Sequence, residues 1–287
     1  MALIEEVCFS DNVEMHQKNM CIVKHFIKVL TETVFDNRLD LLRDIIITNN
    51  LEKTIKEHGY VTINPTAQAL THLVDGKYDV IVNYNNLNFD NEAHIKDVES
   101  YLYHEFQHVS DHQIYNEIAD KYMLQYEPKC DFGKTLFFEF RAAYYAQLYT
   151  KREQTGQEYI RINELGWKRS LNSIVDRIGG LQTENTELAM KQIQELNKVI
   201  FEFNKDVMYH LILACGENLA DNITKKGTKR IDVQVVGLNN QLDQLINEYI
   251  SVLNEVLESD NQTIEFFIKN GLIVFEHLCS LVKLQLK

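Results

Sequence analysis

Residues that interrupt helices are scarce in this chain. Its 287 residues include only two prolines, Pro65 and Pro128, and eleven glycines. Because proline and glycine are the strongest breakers of regular structure, their scarcity predicts long uninterrupted elements and favours helix. Apolar residues recur every three or four positions over four stretches, and each stretch predicts an amphipathic helix: 12–35, 188–207, 242–256 and 264–282. From about residue 164 onward the chain is expected to be helical.

Strand signals are confined to the first third of the chain. Ile45–Thr48 is a β-branched run, and Tyr78–Val82 follows the pair Asp75-Gly76, which is a strong hairpin signal. A short helix is expected from Asn49 to about His58. We therefore predict an α+β fold, with a small, largely antiparallel sheet ahead of a mostly helical C-terminal region. Two domains are expected, over residues 1–175 and 176–287.

The segment 103–112 carries the motif H-E-x-x-H at His104, Glu105 and His108. Apolar residues at helical spacing on both sides predict a helix from about Ile95 to Tyr115. Residues four apart on a helix are separated by about 6 Å along the axis and offset by roughly 40°, so the two imidazoles can bind one metal ion from the same side. Glu105 is close enough to take a proton from a water on that ion.

A catalytic zinc needs a third protein ligand. His112 lies four residues beyond the motif, but three ligands on consecutive turns of one straight helix span about 12 Å and cannot all reach one ion. Glu139 is the better candidate, because a carboxylate on an otherwise apolar helix, here from about Gly133 to Glu153, is costly to bury unless it is paired or metal-bound. The candidate ligands are therefore His104, His108 and Glu139, a set that suits zinc best.

Neighbours of these ligands are candidates for supporting roles. Tyr144 or Tyr145 could donate a hydrogen bond to a developing oxyanion, although packing in the core explains them equally well. Asp111 and His112 could orient the ligands through hydrogen bonds. Arg141 could do the same, or bind a carboxylate of the substrate.

The net charge and the cysteines indicate which partners and which cellular compartment to expect. A net charge of −13 argues against a general nucleic-acid binder, which needs a basic surface. The five cysteines are scattered and form no C-x-x-C pair, which suits reduced thiols in a cytosol and argues against cysteine ligation. Neither a signal sequence nor an apolar run long enough to span a membrane is found. We expect a cytoplasmic protein without a membrane partner, of undetermined oligomeric state.

The motif over 104–108, followed thirty-one residues later by Glu139-x-x-Ala142 on an aromatic helix, resembles the gluzincin metallopeptidases. The short spacing and the preceding small sheet are similar to the compact members, such as the ImmA/IrrE-type endopeptidases. The Asp111-His112 ending also resembles the H-E-x-x-H-x-x-D-H peptidases of mitochondria and plants. The resemblance covers roughly residues 40–155.

This resemblance implies a compact zincin fold in which the three candidate ligands bind Zn²⁺ and Glu105 is the general base and later the proton donor. It also implies that Tyr78–Val82 is an edge strand, on which an extended substrate lies as an added strand. Tyr103 stands where compact members often carry a small or apolar residue, which predicts a narrower pocket.

Three hypotheses follow. The first is a zinc-dependent endopeptidase that hydrolyses peptide bonds of a narrow intracellular protein or peptide substrate. The second is a catalytically idle zinc-binding protein with a regulatory or interaction role, acting through its helical C-terminal region. The third is a helical protein that carries the motif by chance, which metal analysis would reveal.

Overall fold

The computed structural model describes most of the chain: residues 2–6, 13–60, 67–126, 132–153, 194, 208–233 and 240–285. The chain divides into two compact units. The first comprises Met1–Glu117 with Tyr145–Arg152, and the second Ile118–Tyr144 with Glu153–Lys287. The domain boundary expected near residue 175 lies outside the described residues.

The first unit alternates strands and helices. Its elements in chain order are β1 (Ala2–Glu6), α1 (Val13–Val29, continued by a π-helical turn over Leu30–Val34), β2 (Leu42–Thr48), α2 (Leu51–His58), β3 (Ala69–Val74) and β4 (Lys77–Asn83). Two long helices, α3 (Glu92–Tyr126) and α4 (Phe132–Thr150), contribute residues to both units. The predicted helices over 12–35 and 49–58 and the predicted strands at 45–48 and 78–82 are confirmed to within a few residues. β1 was not predicted.

The four strands form one mixed sheet in the order β1-β2-β4-β3. β1 pairs with β2, and β2 with β4, in parallel, whereas β3 and β4 are antiparallel. The prediction of a largely antiparallel sheet is therefore wrong. The strands are parallel because α1 and α2 lie within the connections that follow β1 and β2. Connections of that length allow the next paired strand to run in the same direction.

The hairpin prediction is confirmed, and the hairpin places β3, and not β4, at the edge of the sheet formed by the described residues. Asp75 and Gly76 have φ of 50° and 79°, the paired left-handed conformations of a two-residue hairpin turn. The chain thus reverses at this turn, and β4 runs back alongside β3, which pairs with its outer side. Tyr78–Val82 lies inside the sheet formed by the described residues, so its prediction as an edge strand is wrong, and β3 occupies that edge instead.

Both faces of the sheet are packed. β2 shows this directly, because Ile45, Ile46 and Ile47 are all fully buried, as expected of a strand with parallel neighbours and helices on both sides. One face packs against α1 and α3 through a large cluster that includes Val23, Ile27, Phe35, Val80, Val82, Leu102, Phe106 and Val109. The other face packs against α2 through a smaller cluster.

Helix α3 begins and ends further out than the sequence predicted. The Asn91 side chain accepts a hydrogen bond from the N–H of His94 at 2.9 Å and so caps the first turn. The helix then runs for 35 residues without an internal proline or glycine. Its buried stripe of Val98, Leu102, Phe106 and Val109 packs on the sheet, which fixes the direction in which the remaining faces point.

The regular secondary structure of the second unit, among its described residues, is helical. Besides parts of α3 and α4 it contains α5 (residues 208–221, followed by a π-helical turn over Asn222–Lys226), α6 (Asn240–Val256) and α7 (Asp260–Gln285). The predicted helices over 242–256 and 264–282 are confirmed, whereas 188–207 falls almost entirely outside the described residues. Among the helices described, none is both long and apolar enough to cross a bilayer.

Helix α4 packs against α5 at a glycine. A methyl group added at Gly216 would lie 2.5 Å from the carbonyl oxygen of Phe140 and 3.1 Å from Cβ of Ala143. Both neighbours belong to α4, and Phe140 directly follows Glu139. The close approach of the two backbones therefore requires glycine at position 216.

Replacing Gly216 by alanine is expected to destabilise the chain by about 1–3 kcal/mol, because a backbone carbonyl cannot rotate away from the added methyl group. At a helical glycine without such a contact, the same change would instead raise the free energy of unfolding by about 1 kcal/mol. Chemical denaturation of both proteins measures the difference. A variant as stable as the wild type, or more stable, would show that this contact is loose.

Candidate metal centre

Two imidazoles of α3 face each other one turn apart. The Nε2 atoms of His104 and His108 lie 3.0 Å apart, so that one nitrogen can donate to the other when no ion is bound. The rings are nearly perpendicular, at 87°, with their centroids 4.6 Å apart. His108 is buried and His104 is half-buried. The spacing of the motif on a helix thus brings two potential ligand atoms together, as the helix geometry predicts.

Glu139, on α4, offers a third potential ligand atom. One carboxylate oxygen of Glu139 and one ring nitrogen from each histidine all lie within 4.8 Å of one another. Two ligands on one tetrahedral zinc lie roughly 3.3 Å apart, given bonds of about 2.0–2.1 Å. The two Nε2 atoms, 3.0 Å apart, are already near this separation. Two imidazoles and one carboxylate also match the ligand types of a catalytic zinc site.

Glu105 is held by a residue of the sheet. The hydroxyl of Thr71, on β3, donates to Oε2 of Glu105 at 2.8 Å and lies 3.1 Å from the main-chain oxygen of the same glutamate. Glu105 and Thr71 are both half-buried. This bond fixes one carboxylate oxygen and leaves Oε1 for an incoming proton.

The two candidates at the end of the motif contact residues of α3 itself and of the sheet. The ring of His112 stacks on that of Tyr78 with centroids 4.5 Å apart, and its Nδ1 lies 3.0 Å from Oδ1 of Asn116. Asp111 is fully buried, and its Oδ1 accepts a hydrogen bond from Nε2 of Gln107 at 2.8 Å. Their predicted role in orienting the ligands stays a prediction.

Arg141 forms an ion pair within the second unit. Its guanidinium contacts Asp260, in the first turn of α7, at 2.9 Å and lies over the ring of Phe137. Residues two apart on a helix point to nearly opposite sides, which separates Arg141 from Glu139. The arrangement favours a structural role for Arg141 over the predicted contact with ligands or substrate.

The two tyrosines of α4 also project from different sides of the helix than Glu139 does. A rotation of about 100° per residue turns Tyr144 roughly 140° from Glu139 in one sense and Tyr145 roughly 120° in the other. Both are half-buried, and Tyr145 packs against the large apolar cluster beneath the sheet. Their predicted role as oxyanion donors stays a prediction that the helix geometry does not favour.

Tyr103 belongs to the core and not to the site. Its ring contacts Phe35 and stacks on Tyr149, with centroids 4.9 and 4.7 Å apart. Burial raises the pKa of its hydroxyl to about 12. The narrower pocket predicted from this residue has no basis in its position.

Thr71 is the site residue that sequence reasoning missed. The sequence over 67–73 shows no clear helix or strand preference, so it assigns no direction to the side chain of Thr71. The available signal was the Asp75-Gly76 turn, since a hairpin requires a strand on both sides of it. That strand places Thr71 opposite Val80, one of the buried residues of β4.

Comparison with protein families, with curated proteins and with solved structures finds no match for this chain at any of the three levels. What the site does must therefore be argued from its own geometry and chemistry.

Proposed function

We propose that this chain is a zinc-dependent endopeptidase that hydrolyses peptide bonds of a narrow protein or peptide substrate. The observation that carries the proposal is the convergence of one ligand atom each from His104, His108 and Glu139 to within 4.8 Å, with Glu105 adjacent to His104. Three ligands of this kind leave a fourth position open, which separates a catalytic zinc site from a closed structural one.

His104, His108 and Glu139 would hold the ion. Zinc bound by such a set supplies Lewis acidity, which lowers the pKa of a water towards about 7 and polarises a carbonyl group. The half-burial of His104 and Glu139 and the burial of His108 support this assignment, because partial exclusion of water strengthens electrostatic interactions while leaving the site accessible.

Glu105 would move the proton. As general base it takes the proton of the attacking water, and it then delivers that proton to the leaving amine. A carboxylate held at one oxygen by Thr71 suits this task, since the base must stay in one orientation while the substrate binds and reacts.

The substrate would lie along β3. Asn83 donates its N–H to the main-chain oxygen of Gln68 at 2.8 Å, so alternate residues from Gln68 onward bond to β4. The main-chain groups of Ala69, Thr71 and Leu73 consequently point to the edge of the sheet where no further described strand pairs with β3. An extended peptide could pair with these groups as an additional strand, close to Glu105.

The proposal predicts about one zinc per purified chain and a loss of thermal stability when a chelator removes it. Ligand binding at a free concentration of 100 times Kd stabilises a protein by about 2.7 kcal/mol, an effect that thermal unfolding detects easily. The zinc-loaded protein should also cut a subset of a diverse peptide library, which mass spectrometry identifies. Zinc without cleavage would favour the idle binding protein, and a protein without zinc would overturn both readings.

A further inference from the structure

The edge strand and the proposed general base meet at a single residue. Thr71 contributes its side-chain hydroxyl to Glu105, at 2.8 Å from Oε2. Its own main-chain N–H and C=O belong to the set that points away from β4, to the side of β3 on which the described residues place no further strand. One residue therefore contacts the base with its side chain and faces the position of an added strand with its backbone.

The hydroxyl is rigidly placed. Threonine is β-branched, so its side-chain torsion is restricted once the backbone is fixed. The backbone is fixed here by the pairing of Thr71 with Val80, which is fully buried, and by the tight turn that closes the hairpin. A donor held in this way restricts the carboxylate that accepts from it.

The bond is also a strong one by its chemistry. Hydrogen bonds to an ionised carboxylate are roughly twice as strong as those between neutral groups. The single hydroxyl proton has two acceptors within reach, Oε2 and the main-chain oxygen of Glu105, and the charged oxygen is both closer and the better acceptor. The orientation of the Glu105 side chain is thus tied to the position of β3.

We propose that Thr71 is a positioning residue that aligns Glu105 with the substrate, holding the carboxylate with its hydroxyl while its main chain pairs with the substrate strand. This inference rests on the proposed peptidase function. Thr71 then has two roles: its main chain binds the extended peptide and its side chain holds the general base. A peptide paired with β3 therefore lies next to a Glu105 carboxylate that is already oriented.

Three variants test the catalytic part. Thr71→Val keeps the shape but removes the hydroxyl, Thr71→Ser keeps the hydroxyl, and Thr31→Val removes a hydroxyl that bonds to the carbonyl of Ile27 in the same unit. With a peptide that the wild type cleaves, Thr71→Val should lower kcat by about 10- to 100-fold, because a misplacement near 1 Å can cost 100-fold. KM and zinc content should change less than about 3-fold, in line with a defect confined to the transition state.

Thr31→Val should retain the kcat of the wild type, and Thr71→Ser should restore most of the kcat that Thr71→Val loses. Equal kcat in Thr71→Val and wild type would overturn the proposal. A Thr71→Ser protein as impaired as Thr71→Val would also overturn it, because the serine hydroxyl is expected to replace that of Thr71.

The pairing of the substrate main chain with that of Thr71 is tested separately, through KM. Copies of the cleaved peptide that are N-methylated at one residue at a time should show a raised KM when the methyl group blocks the bond to Thr71, and not at the next residue, because alternate residues bond to a given neighbour. A KM that is insensitive to methylation at every position would overturn the pairing.

A double-mutant cycle of Thr71→Val and Glu105→Ala, followed by denaturant unfolding of zinc-free protein, separates this inference from the proposed function. The two substitutions should be non-additive, with a departure of about 2-fold or more in the unfolding equilibrium constant. Additivity would overturn the hydrogen bond itself. A wild type that binds zinc and cleaves no peptide would instead overturn the proposed function, and with it the catalytic part of this inference.

Discussion

Replacing Glu105 by glutamine is expected to lower the rate of peptide cleavage by about 100- to 10,000-fold, the range that a positioned general base contributes. Glutamine keeps the size of the side chain and can still accept the hydrogen bond from Thr71, so the fold and the ligands should be undisturbed. The amide cannot take a proton from water, so the substitution removes the base while a hydrogen bond from Thr71, weaker to a neutral acceptor, remains.

Three measurements are needed to read this result. Zinc content should stay at about one ion per chain, thermal stability should match the wild type, and kcat should fall with little change in KM. Glu117→Gln is the matched control, since Glu117 is an exposed glutamate on the same helix α3. Cleavage by Glu105→Gln at the wild-type rate would remove Glu105 from its proposed role as base.

Substituting a proposed ligand should have a different signature, the loss of the metal itself. His108→Ala or Glu139→Gln leaves two strong ligands, and a two-ligand site does not retain zinc firmly. We expect zinc affinity to fall by more than the roughly 10- to 100-fold that substitutions of outer hydrogen-bond partners cost. Cleavage should disappear with the metal.

Equilibrium dialysis against zinc, with elemental analysis of the protein, measures this loss. His94→Ala is the control, because His94 lies in the first turn of α3 and bonds to Asn91. Retention of zinc at wild-type affinity in both ligand variants would place the ion elsewhere. Loss in His108→Ala alone would show that the carboxylate of α4 is not a ligand.

The proximity of the candidate ligands could be expected from the sequence because helical periodicity is a strong local signal. His104 and His108 are four residues apart on a helix with an unbroken apolar stripe, so their convergence follows from the helix alone. Glu139 was identified through the cost of placing a carboxylate among aromatic residues. That argument indicated that it needs a partner, and the structure places the two histidine nitrogens beside it.

Strand order and direction were beyond the same reasoning. The Asp75-Gly76 turn marks a hairpin, but which further strand joins β4, and on which side, depends on packing against α1, α2 and α3. Pairing of β2 with β4 puts Ile45 beside Val80 and Ile46 beside Ile81, and it buries both faces of each strand. Such long-range choices determined that β3, and with it Thr71, lies at the edge near Glu105.

Side-chain direction explains the weaker predictions for Arg141, Tyr144 and Tyr145. They were chosen for their chemistry and their nearness to Glu139 in sequence, yet the helical rotation directs none of them along the Glu139 face. The residues that do share this face are Ala142, Ala143 and Ala146, and all three are buried by neighbouring elements. Small residues there allow close packing of α4, as the contact of Ala143 with Gly216 illustrates.

The most direct measurement is an anomalous-scattering map from crystals of the purified chain, recorded on both sides of the zinc absorption edge and accompanied by elemental analysis. We predict about one zinc per chain, with the peak about 2.0–2.2 Å from Nε2 of His104, Nε2 of His108 and a carboxylate oxygen of Glu139. A protein without zinc, or a peak bound by other residues, would contradict the account.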